Sequence, residues 1–197
     1  MARPHRVDAP GALHHVTARC QDEIRVLGGA ADGNLFISML SDTVMRTGWQ
    51  MLAYTLMSNH HHLLVRTPES NLSRGMQWLQ GVWAQRFNLG HGRRGGVWAD
   101  RFHSKLVEDE AHLLNTAVYI ALNPVRARLV DEATDWRWSS AAATAGIAHR
   151  PQFLDDGPIL ASLGDVPQER FSRLLRDQAA WIRSTAPFGG SDPGVWS

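Results

Sequence analysis

Residues 50–57 and 60–66 form two strand-like apolar runs separated only by Ser58-Asn59, and the second run opens on His60-His61-His62. Two polar residues between such runs leave room for a tight turn and nothing longer, so the spacing predicts an antiparallel hairpin. Side chains alternate between the faces of a strand, so His60 and His62 point one way and His61 the other. Two imidazoles on one face of a rigid strand are half of a metal site. The competing reading is a solvated or core-packed histidine pair beside a turn. No His-Glu-x-x-His pattern occurs, which excludes a zinc-protease helix.

Around this hairpin the periodicities alternate. Ala12 to Arg19 reads as a strand, followed by a loop through Gly28-Gly29 and Asp32-Gly33-Asn34. Leu35, Phe36, Met39, Leu40 and Val44 recur at helical spacing up to Gly48. A second stripe, Leu72, Met76, Leu79, Trp83 and Phe87, marks another amphipathic helix. A Gly/Arg loop from Gly90 to Gly96 leads to a strand over Arg101 to Val107. Glu108-Asp109-Glu110 then gives an acidic start to a helix that Pro124 should end or kink near Asn123. The order βαββαβ plus a helix predicts an α+β fold with a ferredoxin-like core and an antiparallel-rich sheet. Residues 1–145 are expected to form this domain. Residues 146–197 are expected to be an accessory segment, amphipathic near Phe171 to Ile182, with a disordered final dozen.

Composition narrows the class. The chain has 197 residues, 44% hydrophobic and 20% charged, which suits one globular domain with an appendage. No run approaches the roughly 18 apolar residues of a membrane span. The first residues, Met1-Ala2-Arg3-Pro4-His5-Arg6, lack an apolar signal core, and a cytoplasmic protein is the simplest expectation. Cys20 is the only cysteine, so an intrachain disulfide or a cysteine-rich zinc site is excluded. The formal net charge is +1, yet residues 1–128 carry 14 Lys/Arg against 10 Asp/Glu and residues 129–197 carry 6 against 9. Of the basic residues only Lys105 is not Arg, a bias that suits phosphate contact and equally follows from coding preference.

The helix after Glu110 carries a polar stripe of His112, Asn115, Tyr119 and Asn123. Tyr119 and Asn123 are one turn apart and share a face. On its own the stripe reads as a tyrosine at the core rim and an asparagine near the helix end. Joined to His60 and His62 it supplies what phosphodiester cleavage requires: a nucleophile, and ligands for a cation that neutralises phosphoryl oxygens.

Here a resemblance enters. Leu56-Met57-Ser58-Asn59-His60-His61-His62, followed by Tyr119-Ile120-Ala121-Leu122-Asn123-Pro124-Val125-Arg126-Ala127, resembles the single-tyrosine HUH transposases, in particular the REP-associated tyrosine transposases. Ala2-Arg3-Pro4, Gly11 to Thr17, Asn71 to Met76, Trp98 to Phe102 and Trp138-Ser139-Ser140 fit as well, so the resemblance spans roughly 2–145. It implies that His60, His62 and Asn123 bind Mg²⁺ or Mn²⁺ and that Tyr119 is the nucleophile. It further implies cleavage of single-stranded DNA beside palindromic hairpins through a 5′-phosphotyrosine, leaving a free 3′ hydroxyl. The chain departs from the family at His61, where an apolar residue is usual, and at Ser58, where proline is common.

Candidate DNA contacts are Arg3, Arg6, Arg93, Arg94, Arg101, Lys105 and Arg126, with Arg74 and Arg86 as weaker ones. Trp98 could stack on a base or fill the core. His112 and Asn115 are candidates for supporting Tyr119. Single-stranded or hairpin DNA is the expected partner, no membrane association is expected, and the sequence is compatible with a monomer or a homodimer. Two alternatives stand beside the nuclease: a hairpin-binding protein of the same fold that no longer cuts, and a hydrolase in which water is the nucleophile.

Overall fold

The computed structural model describes residues 9–21, 24, 25, 27 and 29–185. Four strands, β1 (Ala12–Arg19), β2 (Gln50–Leu56), β3 (His60–Thr67) and β4 (His103–Leu106), form one sheet in the order β2-β3-β1-β4. Every neighbouring pair is antiparallel. Helix α1 (Ala30–Thr47) connects β1 to β2, and α2 (Leu72–Gly90) connects β3 to β4. Each crossover therefore skips over one intervening strand, which is the ferredoxin-like arrangement expected from the element order. The fourth strand is shorter than the predicted 101–107 and leaves Arg101 outside it.

The two faces of the sheet bury separate cores. On one, Val16, Met51, Leu56, Leu63 and Val65 pack with Phe36 and Leu40 of α1 and with Met76, Leu79 and Trp83 of α2. On the other, Leu13, Leu52, Ala53 and Leu64 meet helix α3 (Glu110–Arg126) through Leu113, Ala117, Val118 and Ala121. A register shift between Met51 and Ala53 lets Leu52 and Ala53 serve this second core together.

Two sequence expectations need correction. Asp32-Gly33-Asn34 is not a loop but lies within the first turns of α1. Gly33 is there for close packing: a Cβ at that position would sit 2.6 Å from atoms of the Trp138 ring. Nor does Pro124 end its helix, because α3 continues through it to Arg126. Proline has no N–H to donate to the carbonyl four residues earlier, Ile120 O. The Thr55 hydroxyl of β2 donates to that oxygen instead, at 2.9 Å, so the buried carbonyl stays satisfied and the helix proceeds.

Beyond α3, short helices α4 (Ala141–Thr144) and α5 (Gly157–Ala161) lead to α6 (Pro167–Thr185). Phe171, Leu175 and Ala179 of α6 are buried in the core that contains α3, so the C-terminal region backs that helix. The expected disorder of the final dozen residues falls outside the described chain, as do Arg3 and Arg6. No helix among the described residues is long and apolar enough to cross a membrane.

Candidate active site

Strand pairing decides what faces α3. His62 lies opposite Thr17 of β1 and Thr55 of β2, while His60 lies opposite Arg19. His15, two residues before Thr17, shares that face, and Lys105 lies across from it on β4. The predicted separation of the histidine row follows: His60 and His62 point toward α3, and His61 points into the α1/α2 core.

Helix α3 begins at a well-made cap, in which Asp109 accepts from the His112 N–H at 2.8 Å. Three turns on, the half-buried Tyr119 ring stands edge-on to His62 and His15, with centroids 5.8 and 5.9 Å away. His60 and His62 are themselves 5.1 Å apart, centroid to centroid. His60, His62 and Tyr119, singled out in the sequence, lie close together between β3 and α3. Asn123 is nearly buried one turn beyond Tyr119 and donates its Nδ2 to the Tyr119 carbonyl at 2.8 Å.

The donors suit a divalent cation. His60 Nδ1 donates to Asn59 Oδ1 at 2.9 Å, which leaves the lone pair on His60 Nε2. His62 Nδ1 is 3.0 Å from His15 Nε2. Burial, with help from His15, His60 and His61, holds the His62 imidazole well below its ordinary range, so it is neutral at physiological pH. Burial, Lys105 and His112 push His15 down to about 4. Neutral imidazoles are the form that ligates metal. Among the described residues no group of three or more His, Cys, Asp or Glu is placed to hold a metal ion. Two imidazoles and an amide oxygen would make an open site, with positions left for water or phosphate oxygens.

The remaining predicted residues divide by position. Arg126 sets its guanidinium over the Tyr119 ring, 5.0 Å from the centroid. Lys105 is exposed beside His15 on the same face. Arg93 and Arg94 are exposed in the loop after α2, at the end of the sheet where β3 starts, and Arg101 is exposed just ahead of β4. Arg74 and Arg86 are exposed on α2, which packs on the opposite face. His112 receives the Glu108 N–H at 3.4 Å near the start of α3, and Asn115 is exposed. Among the described residues, no hydrogen bond ties either one to Tyr119. Trp98 is a core residue in part: its ring meets His61 and Trp83, and its Nε1 donates to Gln80 O at 3.0 Å.

His15 was missed by the sequence reading. Its signal was the His14-His15 pair on β1, but which of the two faces α3 depends on pairing with β3. His61 lies on the opposite face of β3, toward α1. It is fully buried against Phe36 and Trp98, and neither ring nitrogen has a hydrogen-bond partner among the described residues. Burial pushes its pKa down to about 3.

Comparison with known proteins places the chain in a family and supports the class of fold. A family profile described as "Transposase IS200 like" matches residues 11–123, and the chain belongs to that family. A Haemophilus influenzae protein assigned as a REP-associated tyrosine transposase is 26% identical over 144 residues, covering 68% of this chain and 82% of the relative. The fold matches that of a solved REP-associated tyrosine transposase bound to a REP hairpin. Its TM-score is 0.64 at 16% identity, over 79% of this chain and 94% of that one.

Proposed function

We propose that this protein is a REP-associated tyrosine transposase that cuts single-stranded DNA next to a hairpin. The observation that carries the reading is the convergence of Tyr119 with His60 and His62 at one face of the sheet. Binding of a REP hairpin by the structural relative supports hairpin DNA as the substrate class.

In this mechanism the Tyr119 Oη attacks the phosphorus of a phosphodiester. The P–Oη bond forms as the bond to the 3′ oxygen breaks. The phenolic proton passes to solvent, the 3′ oxygen keeps the electron pair and takes up a proton from solvent, and the 5′ phosphate remains on Tyr119. His60, His62 and the Asn123 Oδ1 would hold Mg²⁺ or Mn²⁺, which supplies Lewis-acid charge for the phosphoryl oxygens. Arg126 stacks on the phenol ring and places a cation beside the developing negative charge. Lys105, Arg93, Arg94 and Arg101 offer exposed cations to the strand backbone, a contribution that weakens with salt.

The test is covalent capture. A labelled hairpin with a single-stranded flank, incubated with the protein and Mn²⁺, gives an adduct that survives denaturation. Tyr119→Phe abolishes the adduct while hairpin binding stays within about threefold, since only one hydroxyl is lost. Cleavage that persists in Tyr119→Phe makes water the nucleophile. Binding without any cleavage makes the protein a hairpin binder.

A further inference from the structure

We infer that His15 is a positioning residue whose Nε2 accepts the His62 Nδ1–H, and so keeps the His62 Nε2 lone pair available for the cation. The inference rests on the reading of His62 as a ligand.

Register brings the pair together. His15 lies opposite Leu64, so His62 is its diagonal neighbour on the same face, within reach of long or aromatic side chains. The two rings stack with 5.2 Å between centroids and 24° between planes, and the nitrogens meet at 3.0 Å. One proton is shared along that line, and its side decides the chemistry. If His15 donated, His62 would carry its own proton on Nε2 and could not use that nitrogen as a ligand. If His62 donates, Nε2 is the ligand atom, which matches His60. There the outer nitrogen Nδ1 already donates to an amide oxygen. Both histidines are then held alike, each by an acceptor behind it, as metal-binding histidines usually are. His15 also meets the Tyr119 ring edge-on, so the same imidazole fixes the spacing between ligand and nucleophile.

Two readouts test the role. Ring ¹H–¹⁵N correlation spectra of the metal-free protein should show the His62 proton on Nδ1 and Nε2 bare. His15→Phe keeps a ring in the stack but removes the acceptor. It should redistribute the His62 proton and weaken Mn²⁺ binding, followed by electron paramagnetic resonance, by about ten- to a hundredfold. His15→Gln restores an acceptor and should recover most of the affinity. A wild-type spectrum with the His62 proton on Nε2 overturns the inference, as does a folded His15→Phe protein whose Mn²⁺ affinity changes less than about twofold. Should His15→Phe fail to fold, the wild-type spectrum alone decides. Wild-type protein with the expected tautomer and Mn²⁺ affinity but no DNA adduct overturns the proposed function and leaves the His15 role standing. An adduct formed with the opposite tautomer overturns the His15 role alone.

Discussion

His61 shows how one residue can be sequence-adjacent to a site and physically remote from it. Its neighbours on either side look across the sheet at Tyr119, while its own ring is sealed among Phe36 and Trp98 with both nitrogens unpaired. A buried polar group without a partner costs about 1–3 kcal/mol. His61→Leu, which substitutes an apolar side chain of similar size, should therefore raise the unfolding free energy by about 1 kcal/mol, measured by urea denaturation. DNA cleavage should be unchanged. A stability loss would mean that the imidazole has a polar role in that core. The outer histidines and Tyr119 were legible in the sequence because alternation along β3 and the turn spacing of α3 are local rules. His15 was not, because its face and its partner are set by a pairing some 47 residues away.

At the level of elements, the course of α3 turns on a contact that no local rule contains. Pro124 reads as ending or kinking the helix; it does not end it, because Thr55, far back on β2, replaces the missing donor at Ile120 O. Thr55→Val keeps the shape and strands that carbonyl, so it should cost about 1–3 kcal/mol. Pro124→Ala returns a backbone N–H to the same oxygen and should make the Thr55→Val substitution nearly neutral. A double-mutant cycle in urea measures this coupling, and simple additivity of the two changes would remove Thr55 from the explanation. Asp32-Gly33-Asn34 failed for a related reason. Polar and glycine residues resemble a loop until Trp138, a hundred residues later, is seen to need the space at Gly33. Strands and amphipathic stripes were readable from periodicity, whereas the boundaries set by tertiary contacts were not.

Across the whole molecule, two cores share one sheet, and the one beneath α1 and α2 contains groups that resist ionisation. Burial pushes the Cys20 thiol and the Tyr54 phenol up to about 12. In the unfolded chain these groups ionise near their ordinary values of about 8.5 and 10. Between about pH 9 and pH 12 the unfolded chain holds fewer protons than the native one, so stability should fall as pH rises through that window and be fully present below it. Urea titrations at stepped pH would register the decline, and Tyr54→Phe should make it shallower above pH 10. A slope that ignores this substitution would assign the alkaline loss to other groups.

The hydroxyl of Thr55 reaches α3 at Ile120, next to the tyrosine, and Thr55 is also the register partner of His62. Mechanically, this is a fulcrum set beside the load. Glu110 lies ten residues up the helix, or ~15 Å at 1.5 Å per residue. A tilt of α3 by ~5° about Ile120 would swing the Glu110 end by ~1.3 Å but carry the backbone at Tyr119 only ~0.1 Å, given the single-residue rise between them. Any such tilt would therefore be felt at the capped end of the helix and hardly at all at the backbone of the tyrosine.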